Sequence, residues 1–362
     1  MRVGLLCSSS LGLTGPDVYL ESLIEHLVKQ DELEVYLIHD SRSNHPIFKK
    51  ANEIVVPPFT FLGQTLLRKF SLDILHFNII WDAIYFHFLK VKKVATVHGD
   101  IEWAIPSLDY SPHLSPIKRL LDTVSSKCLD AFIAVSHDLK DRISRFLRIQ
   151  KSKIYVTYLA PRNIFYQLKK ANGDHLRRSY GIEKPFILHV SNFGPKKNPE
   201  TIFKTLKILI NDHIDVDLVM AGGGWKTEKY VQKLVTRLGL HGRVKILGFV
   251  PIEDLNLLYN SAEVFFQPSF HENCPQTLLE AMACGTPVVT SSVYSIPEVT
   301  GNAGILHDPK DYVAFAGSIK EILTNEEHQK ELQQLALKNV KRFSWDKTTQ
   351  QTIEIYRRLA SQ

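Results

Sequence analysis

Two doubly wound α/β domains, each built on a parallel sheet, are what the sequence predicts, and three observations carry the expectation. Short apolar runs alternate with helical stretches along nearly the whole chain, the pattern of βαβ units. At 362 residues the chain is too long for one ordinary core. The alternation also starts afresh at Pro185, after a polar, basic stretch holding Gly173 and Gly181. This places a first domain at 1–165, a linker at 166–184, a second domain at 185–342 and a final helix in 343–362.

In the first half, Arg2 to Cys7 reads as a strand, and the loop Ser8 to Pro16 carries Gly12 and Gly15. Helix Asp17 to Val28 then turns Val18, Leu20, Leu23, Ile24 and Leu27 inward. Such a turn offers amide groups to an anion, but it lacks the GxGxxG of a dinucleotide site. Strands follow at Glu34 to Ile38, Ile54 to Val56, Ile74 to Phe77, Val94 to Val97 and Ala131 to Val135. The fourth of these runs into His98-Gly99-Asp100 at the strand end where ligands gather. A histidine there orients a ligand or moves a proton, or else it is a polar turn residue.

The second half opens with the strand Phe186 to Ser191 and a loop through Lys196-Lys197-Asn198-Pro199 into helix Glu200 to Asn211. Two cations at a helix start oppose its dipole unless they share an anion, which a diphosphate would supply; the alternative is a solvated basic loop. Strand Val216 to Ala221 ends in Gly222-Gly223-Gly224, for close approach of a ligand or simply for a tight turn. Asp215 and Asp217 have metal-binding spacing but open this strand, whereas ligands sit at the opposite end, so no metal is expected. Strand Arg243 to Leu247, turn Gly248-Phe249-Val250-Pro251, and helices at Pro251 to Asn260, Asp311 to Thr324 and Trp345 to Ala360 complete the wrap.

Chemistry concentrates in Ala262 to Thr290. Val264-Phe265-Phe266 marks a strand within Glu263 to Gln267, and the loop Phe270 to Cys274 follows. Pro275 suits the first helical position with Asn273 or Cys274 as cap, Gly285 stops the helix, and Val288-Val289 begins the next strand. The helix start favours a phosphate. Glu272 and Glu280, with seven residues between them, would repel it unless they accept hydrogen bonds from neutral ribose or sugar hydroxyls. A nucleotide sugar offers both groups. The alternative is two solvated carboxylates.

The run from Glu272 to Glu280, then AMACGTPVV, Ile296-Pro297-Glu298-Val299 and Gly301-Asn302-Ala303-Gly304, resembles the donor-site signature of retaining family-4 glycosyltransferases of the GT-B architecture. The resemblance is strong in the second half and weaker in the first. It implies two Rossmann-like domains facing a central cleft, and transfer of a hexose, with retention, from a UDP- or GDP-linked sugar to a glycan or polyprenyl-linked acceptor in polysaccharide biosynthesis. No cofactor or metal is implied beyond the nucleotide sugar as co-substrate. On this resemblance His98 and Glu272 are catalytic, Lys196 and Lys197 grip the diphosphate, and Glu280 holds ribose hydroxyls. The nucleobase lies against Phe249 and Val250, although Phe249 also reads as a core residue. Asn273, Cys274, Pro275, Gln276, Thr277 and Gly15 complete the donor contacts, and the last helix crosses back to the first domain. The chain departs from the family pattern in four places. Asn273-Cys274-Pro275 replaces Gly-Phe-Gly; Gly99 is inserted before Asp100, which is therefore not carried over; Asn192 stands for an arginine, with Lys196 as substitute; and Thr14-Gly15 stands for Gly-Gly. A GT-B sugar-nucleotide epimerase or a non-catalytic sugar-nucleotide-binding homologue is the alternative.

The net charge is +6. Residues 1–180 hold 24 Lys and Arg against 18 Asp and Glu, and residues 181–362 hold 20 against 20. The bias suggests an acidic acceptor or peripheral contact with an anionic membrane. No basic motif interleaved with aromatics points to nucleic acid. Cys7, Cys128, Cys274 and Cys284 are too scattered for a metal knuckle, and they suit a reducing compartment. With no stretch resembling a signal or a span, the expected location is cytoplasmic, or peripheral at the inner membrane face.

Overall fold

The computed structural model describes residues 1–7, 15–41, 43–56, 61–99, 115–169 and 173–362. They form two compact units, one of Met1–Leu159 with Phe343–Gln362 and one of Ala160–Arg342.

The first unit carries β1 (Arg2–Leu6), β2 (Glu34–His39), β3 (Asn52–Val55), β4 (Ile74–Phe77), β5 (Lys92–Val97), β6 (Ala131–Ala134) and β7 (Ile154–Val156). All pair parallel in the order β3-β2-β1-β4-β5-β6-β7. Strands β4 and β6 are buried at every position, which is why β6 reads as an unbroken apolar run and β4 as one interrupted only by His76. Helices α1 (Gly15–Leu27), α2 (Phe61–Leu67), α3 (Ser115–Ser126) and α4 (His137–Leu147) belong to this unit. Helix α1 buries Leu20, Leu23, Ile24 and Leu27 as its spacing predicts, but Val18 is only half-buried and Tyr19 is turned inward instead. The loop 8–14 and Asp100 lie outside the described residues.

The second unit carries β8 (Phe186–Val190), β9 (Asp217–Ala221), β10 (Val244–Gly248), β11 (Val264–Gln267), β12 (Val288–Ser291) and β13 (Gly304–His307), parallel in the order β10-β9-β8-β11-β12-β13. Its helices are α5 (Gly173–Tyr180), α6 (Pro199–Asn211), α7 (Lys229–Arg237), α8 (Ile252–Ser261), α9 (Gln276–Ala283), α10 (Ile296–Thr300), α11 (Tyr312–Thr324) and α12 (Glu326–Val340). Its core gathers Phe203, Leu206, Met220, Trp225, Phe266 and Phe315 between sheet and helices. The described residues of 166–184, a stretch read from composition as a linker, are instead built into this unit. His175 and Tyr180 of α5 both bond Asp254 of α8, and the Leu168 N–H donates to Asn260 Oδ1 at 2.7 Å.

The last helix, α13 (Trp345–Ala360), packs within the first unit. Its Thr348 hydroxyl donates to the Tyr158 carbonyl at 2.7 Å, and Tyr356 Oη meets His76 Nδ1 at 2.5 Å. Each sheet reverses its winding once, between β1 and β4 and between β8 and β11. The carboxyl ends of those strands frame the crevice in which doubly wound sheets bind ligands.

Candidate active site

In the second unit, the chain leaving β8 and the chain leaving β11 are laced together at the switch point. Asn198 adopts a left-handed φ of 58° and caps α6, its side chain accepting from the Thr201 N–H. The same side chain donates to the carbonyls of Pro268 and Pro309, at 3.0 and 2.6 Å. The Phe270 N–H donates to the Lys196 carbonyl at 2.8 Å, and the Ser295 hydroxyl to that of Glu272 at 2.9 Å. These bonds bring Lys197 Nζ to 2.7 Å from Glu272 Oε1, which also accepts from Gln267 Nε2 at 3.1 Å. The pair is nearly enclosed, with side chains 15 and 12 % exposed. Burial disfavours charge on Glu272, but Lys197 and Lys196 with the hydrogen bond from Lys197 outweigh it and hold the carboxyl below its usual range. Beneath it His189, bonded to the Phe266 carbonyl and the Ser191 hydroxyl, is driven down to about 4 by burial and stays neutral.

Glu280 sits on the inner side of α9, 3 % exposed. It accepts from Arg162 Nη2 and from the Tyr259 hydroxyl, each at 3.2 Å. Burial pushes its carboxyl above the usual range against the pull of Arg162. It is therefore neither solvated nor in contact with Glu272's partners. Spacing alone gave no sign of Arg162 or Tyr259, because nothing local in the sequence links residue 162 to residue 280.

Two further expectations are corrected. Helix α9 begins at Gln276, with Pro275 itself as the cap residue at ψ 99° and no side-chain cap; neither Asn273 nor Cys274 serves, since the extended Pro275 delays the helix by one residue. Asn273, Cys274 and Pro275 are buried, and Gln276 and Thr277 are partly exposed. Phe249 is no core residue: Gly248, at φ +78°, ends β10 and turns the ring outward until it is 74 % exposed. A side chain at Gly223 would strike that ring at 2.8 Å, and one at Gly222 would meet the Ser191 carbonyl oxygen at 2.0 Å. The glycine triplet thus serves close packing of the turn against the β8 loop and the Phe249 ring. Asp215 and Asp217 open β9 and are held by Arg243 at 3.1 and 3.0 Å.

In the first unit, His98 follows β5 and its Nε2 lies 2.9 Å from Asn78 Oδ1, which follows β4. The Tyr19 ring of α1 packs edge-on against it at 4.6 Å. Burial drives the imidazole down to about 3, so it is neutral at physiological pH. Behind it runs a buried chain, Tyr356 to His76 to Thr96 to Tyr19, with contacts of 2.5, 2.7 and 3.0 Å. Gly15 opens α1, and among the described residues nothing stands where its side chain would be.

Two family models match. That described as glycosyl transferases group 1 covers residues 174–339, and that described as glycosyltransferase family 4 covers 14–160. The O-antigen chain mannosyltransferase B of Escherichia coli is 32% identical over 278 residues, 75% of this chain and 71% of that protein. The chain belongs to the group 1, family-4-type glycosyltransferases. A D-inositol 3-phosphate glycosyltransferase of Corynebacterium diphtheriae is 23% identical over 94% of this chain and 89% of its own. Among solved structures, sucrose-phosphate synthase of Thermosynechococcus elongatus superposes with a TM-score of 0.83 at 18% identity, covering 99% of each chain. Anabaena HepE with UDP-glucose superposes at 0.82 and 18%, covering 98% of this chain and 99% of that one. The glycosyltransferase's two Rossmann-like domains thus have the GT-B fold.

Glu280 gives this glycosyltransferase a testable stability signature. A carboxyl whose value is raised on folding stabilises fully below its unfolded value, and that contribution is lost as pH rises through the folded value. At neutral pH the buried charge is a cost. Glu280→Gln is expected to change stability at pH 7 by no more than about 1 kcal/mol and to flatten the decline above the ordinary glutamate range. Urea titrations across pH check it; a large loss of stability would make Glu280 only a brace for Arg162.

Proposed function

We propose that the chain is a retaining hexosyltransferase that takes a UDP- or GDP-linked sugar and passes the hexose to a glycan or polyprenyl-linked acceptor in polysaccharide biosynthesis. The observation that carries this reading is the enclosed Lys197–Glu272 pair at the carboxyl ends of β8 and β11. In the ligand-free chain, Glu272 supplies the anion that Lys197 needs at the head of α6. A diphosphate arriving there takes over Lys197, with Lys196 beside it, and releases Glu272 toward the sugar hydroxyls. Glu280 meets the ribose, the exposed Phe249 ring with Val250 backs the base, and the amides at the start of α9 face the leaving group. His98, neutral and held by Asn78, stands at the strand end where it would orient hydroxyls.

The E. coli relative's name, an O-antigen chain mannosyltransferase, supports a hexose donor and a glycan acceptor. HepE, solved with UDP-glucose, supports a nucleotide sugar. Departures at Asn273-Cys274-Pro275 keep the non-catalytic homologue as the competing reading. Calorimetry with UDP and GDP followed by turnover on a panel of nucleotide sugars separates the two: binding without transfer or hydrolysis of any donor overturns the enzyme.

Lysines and the helix start already meet the charge of a leaving diphosphate in this scheme. Activity is therefore expected to survive EDTA within about twofold, a change of ~0.4 kcal/mol. A strict requirement restored by Mg²⁺ or Mn²⁺ would remove Lys196 and Lys197 from the leaving-group role.

A further inference from the structure

Helix α3 of the first unit is inside out. Ile117, Leu120, Leu121 and Val124 recur at the spacing of one helix face, the pattern that ordinarily turns toward a core. Here that face is turned to solvent, its residues 38 to 63 % exposed. The opposite face is polar and buried, with Asp122, Ser125 and Ser126 inward. Asp122 accepts from the indole N–H of Trp81, which fastens α3 to the short 3₁₀ helix Ile80–Phe86 packed along it. That segment and its continuation expose Tyr85 and Phe88 as well. Large apolar groups left outside together mark an interaction surface.

Charge says what kind. Phe88 leads into an open cavity of about 510 Å³ lined by Lys90, Lys92, Lys93 and Lys127, with Asp73 and Asp130. Both carboxylates are spent on backbone: Asp73 accepts the Arg2 N–H and Asp130 the Lys93 N–H, each at 2.7 Å. Lys93 is spent too, donating to the carbonyls of Leu89 and Val91 at 2.6 and 3.2 Å. Lys90, Lys92 and Lys127 have no ion pair among the described residues. Lys127 lies less than one turn beyond Val124, so the unmatched cations continue the apolar stripe. Among the described residues no helix is long and apolar enough to cross a membrane.

We propose that this face is a docking surface for an anionic bilayer, the stripe of α3 entering the interface while Lys90, Lys92 and Lys127 meet lipid phosphates. An amphipathic helix that lies in the headgroup layer needs this pairing of apolar side chains with flanking cations. The excess cations of residues 1–180, 24 against 18 acids, favour the same approach. Acceptor or donor identity plays no part in the inference, and binding alone is the readout.

The test is flotation with vesicles of phosphatidylcholine alone, or with one third phosphatidylglycerol. Wild type is expected to float only with the anionic vesicles and to be released by salt. Lys90→Ala, Lys92→Ala and Lys127→Ala combined are expected to weaken partitioning about a hundredfold, at about fivefold per lysine. Ile117→Ser with Leu120→Ser should abolish flotation while leaving the thermal melt unchanged, as fits residues already in water. In a second measurement, the fluorescence of Leu120→Trp should be quenched by brominated acyl chains more than that of wild type. Equal flotation with neutral vesicles, unchanged flotation of the variants, or a dimer that these substitutions dissolve in place of vesicle binding would overturn the proposal.

Discussion

Glu272→Gln is expected to lower kcat by roughly 10- to 100-fold, the equivalent of the ~1.5 to 3 kcal/mol that a hydrogen bond to a charged group is worth. Nucleoside-diphosphate affinity should meanwhile hold or improve. The two effects separate because Glu272 has two partners at different stages. In the free chain it neutralises Lys197 at 2.7 Å; in the proposed complex its partner is the sugar ring, whose charge and shape change during transfer. Replacing the carboxylate frees Lys197 for the diphosphate and removes the contact that matters in the transition state. Stability should respond to pH in the opposite sense from Glu280. Because Glu272 is held below its usual range, its contribution is full above the unfolded value and is lost as pH falls through the folded one. The Gln variant should lack that acid sensitivity. Single-turnover rates with nucleotide calorimetry check the split. An unchanged kcat would reduce Glu272 to a counter-ion.

That experiment targets a segment that was readable in the sequence almost to the residue. The strand at Val264, the break near Pro275 and the stop at Gly285 appear in the structure within one residue, because apolar runs and the fixed geometry of proline and glycine act locally. Strand β7 escaped because three residues show no periodicity, and β13 because Gly304 and His307 leave it only Ile305 and Leu306 as an apolar run. Helices α7 and α12 escaped because their exposed faces dilute the apolar stripe with Lys, Gln and Glu. Phe249 was ambiguous for another reason. Ile246-Leu247-Gly248-Phe249-Val250 looks like one apolar run, and only the left-handed Gly248 sends the ring into solvent. Helix α3 was not legible in the sequence at all. Its Ile117, Leu120, Leu121 and Val124 share one face, but no local rule tells whether such a face meets a core or the outside.

The site shows the same division. Lys196, Lys197 and Glu272 stood out by residue type in the loops after β8 and β11, and Glu280 by its place on the helix that follows. What each one touches was not, since Gln267, Arg162 and Tyr259 reach them through tertiary packing. The sequence argument held that two cations at the head of α6 need an anion, and the structure supplies one from within the chain. Lys197 is therefore either occupied for good by Glu272 or exchanged between Glu272 and a diphosphate.

Lys197→Ala decides between these. If the lysine changes partner, the variant should bind UDP or GDP ten- to a hundredfold more weakly, in line with ~1.5 to 3 kcal/mol for a charge-assisted bond. Removing the lysine also strips Glu272, 12 % exposed, of its cation, and a loss of stability is expected whichever role is right. Affinity must therefore be read at a temperature where the variant is fully folded, and against the double variant Lys197→Ala with Glu272→Gln, which has no stranded charge. In the exchange scheme the double variant regains stability but not affinity, because the diphosphate has lost its cation in both. In the fixed-pair scheme Lys197 never meets the ligand, so the double variant should bind nucleotide like wild type. A double-mutant cycle on calorimetric affinities separates the outcomes, and wild-type binding by both variants would move the diphosphate away from the head of α6.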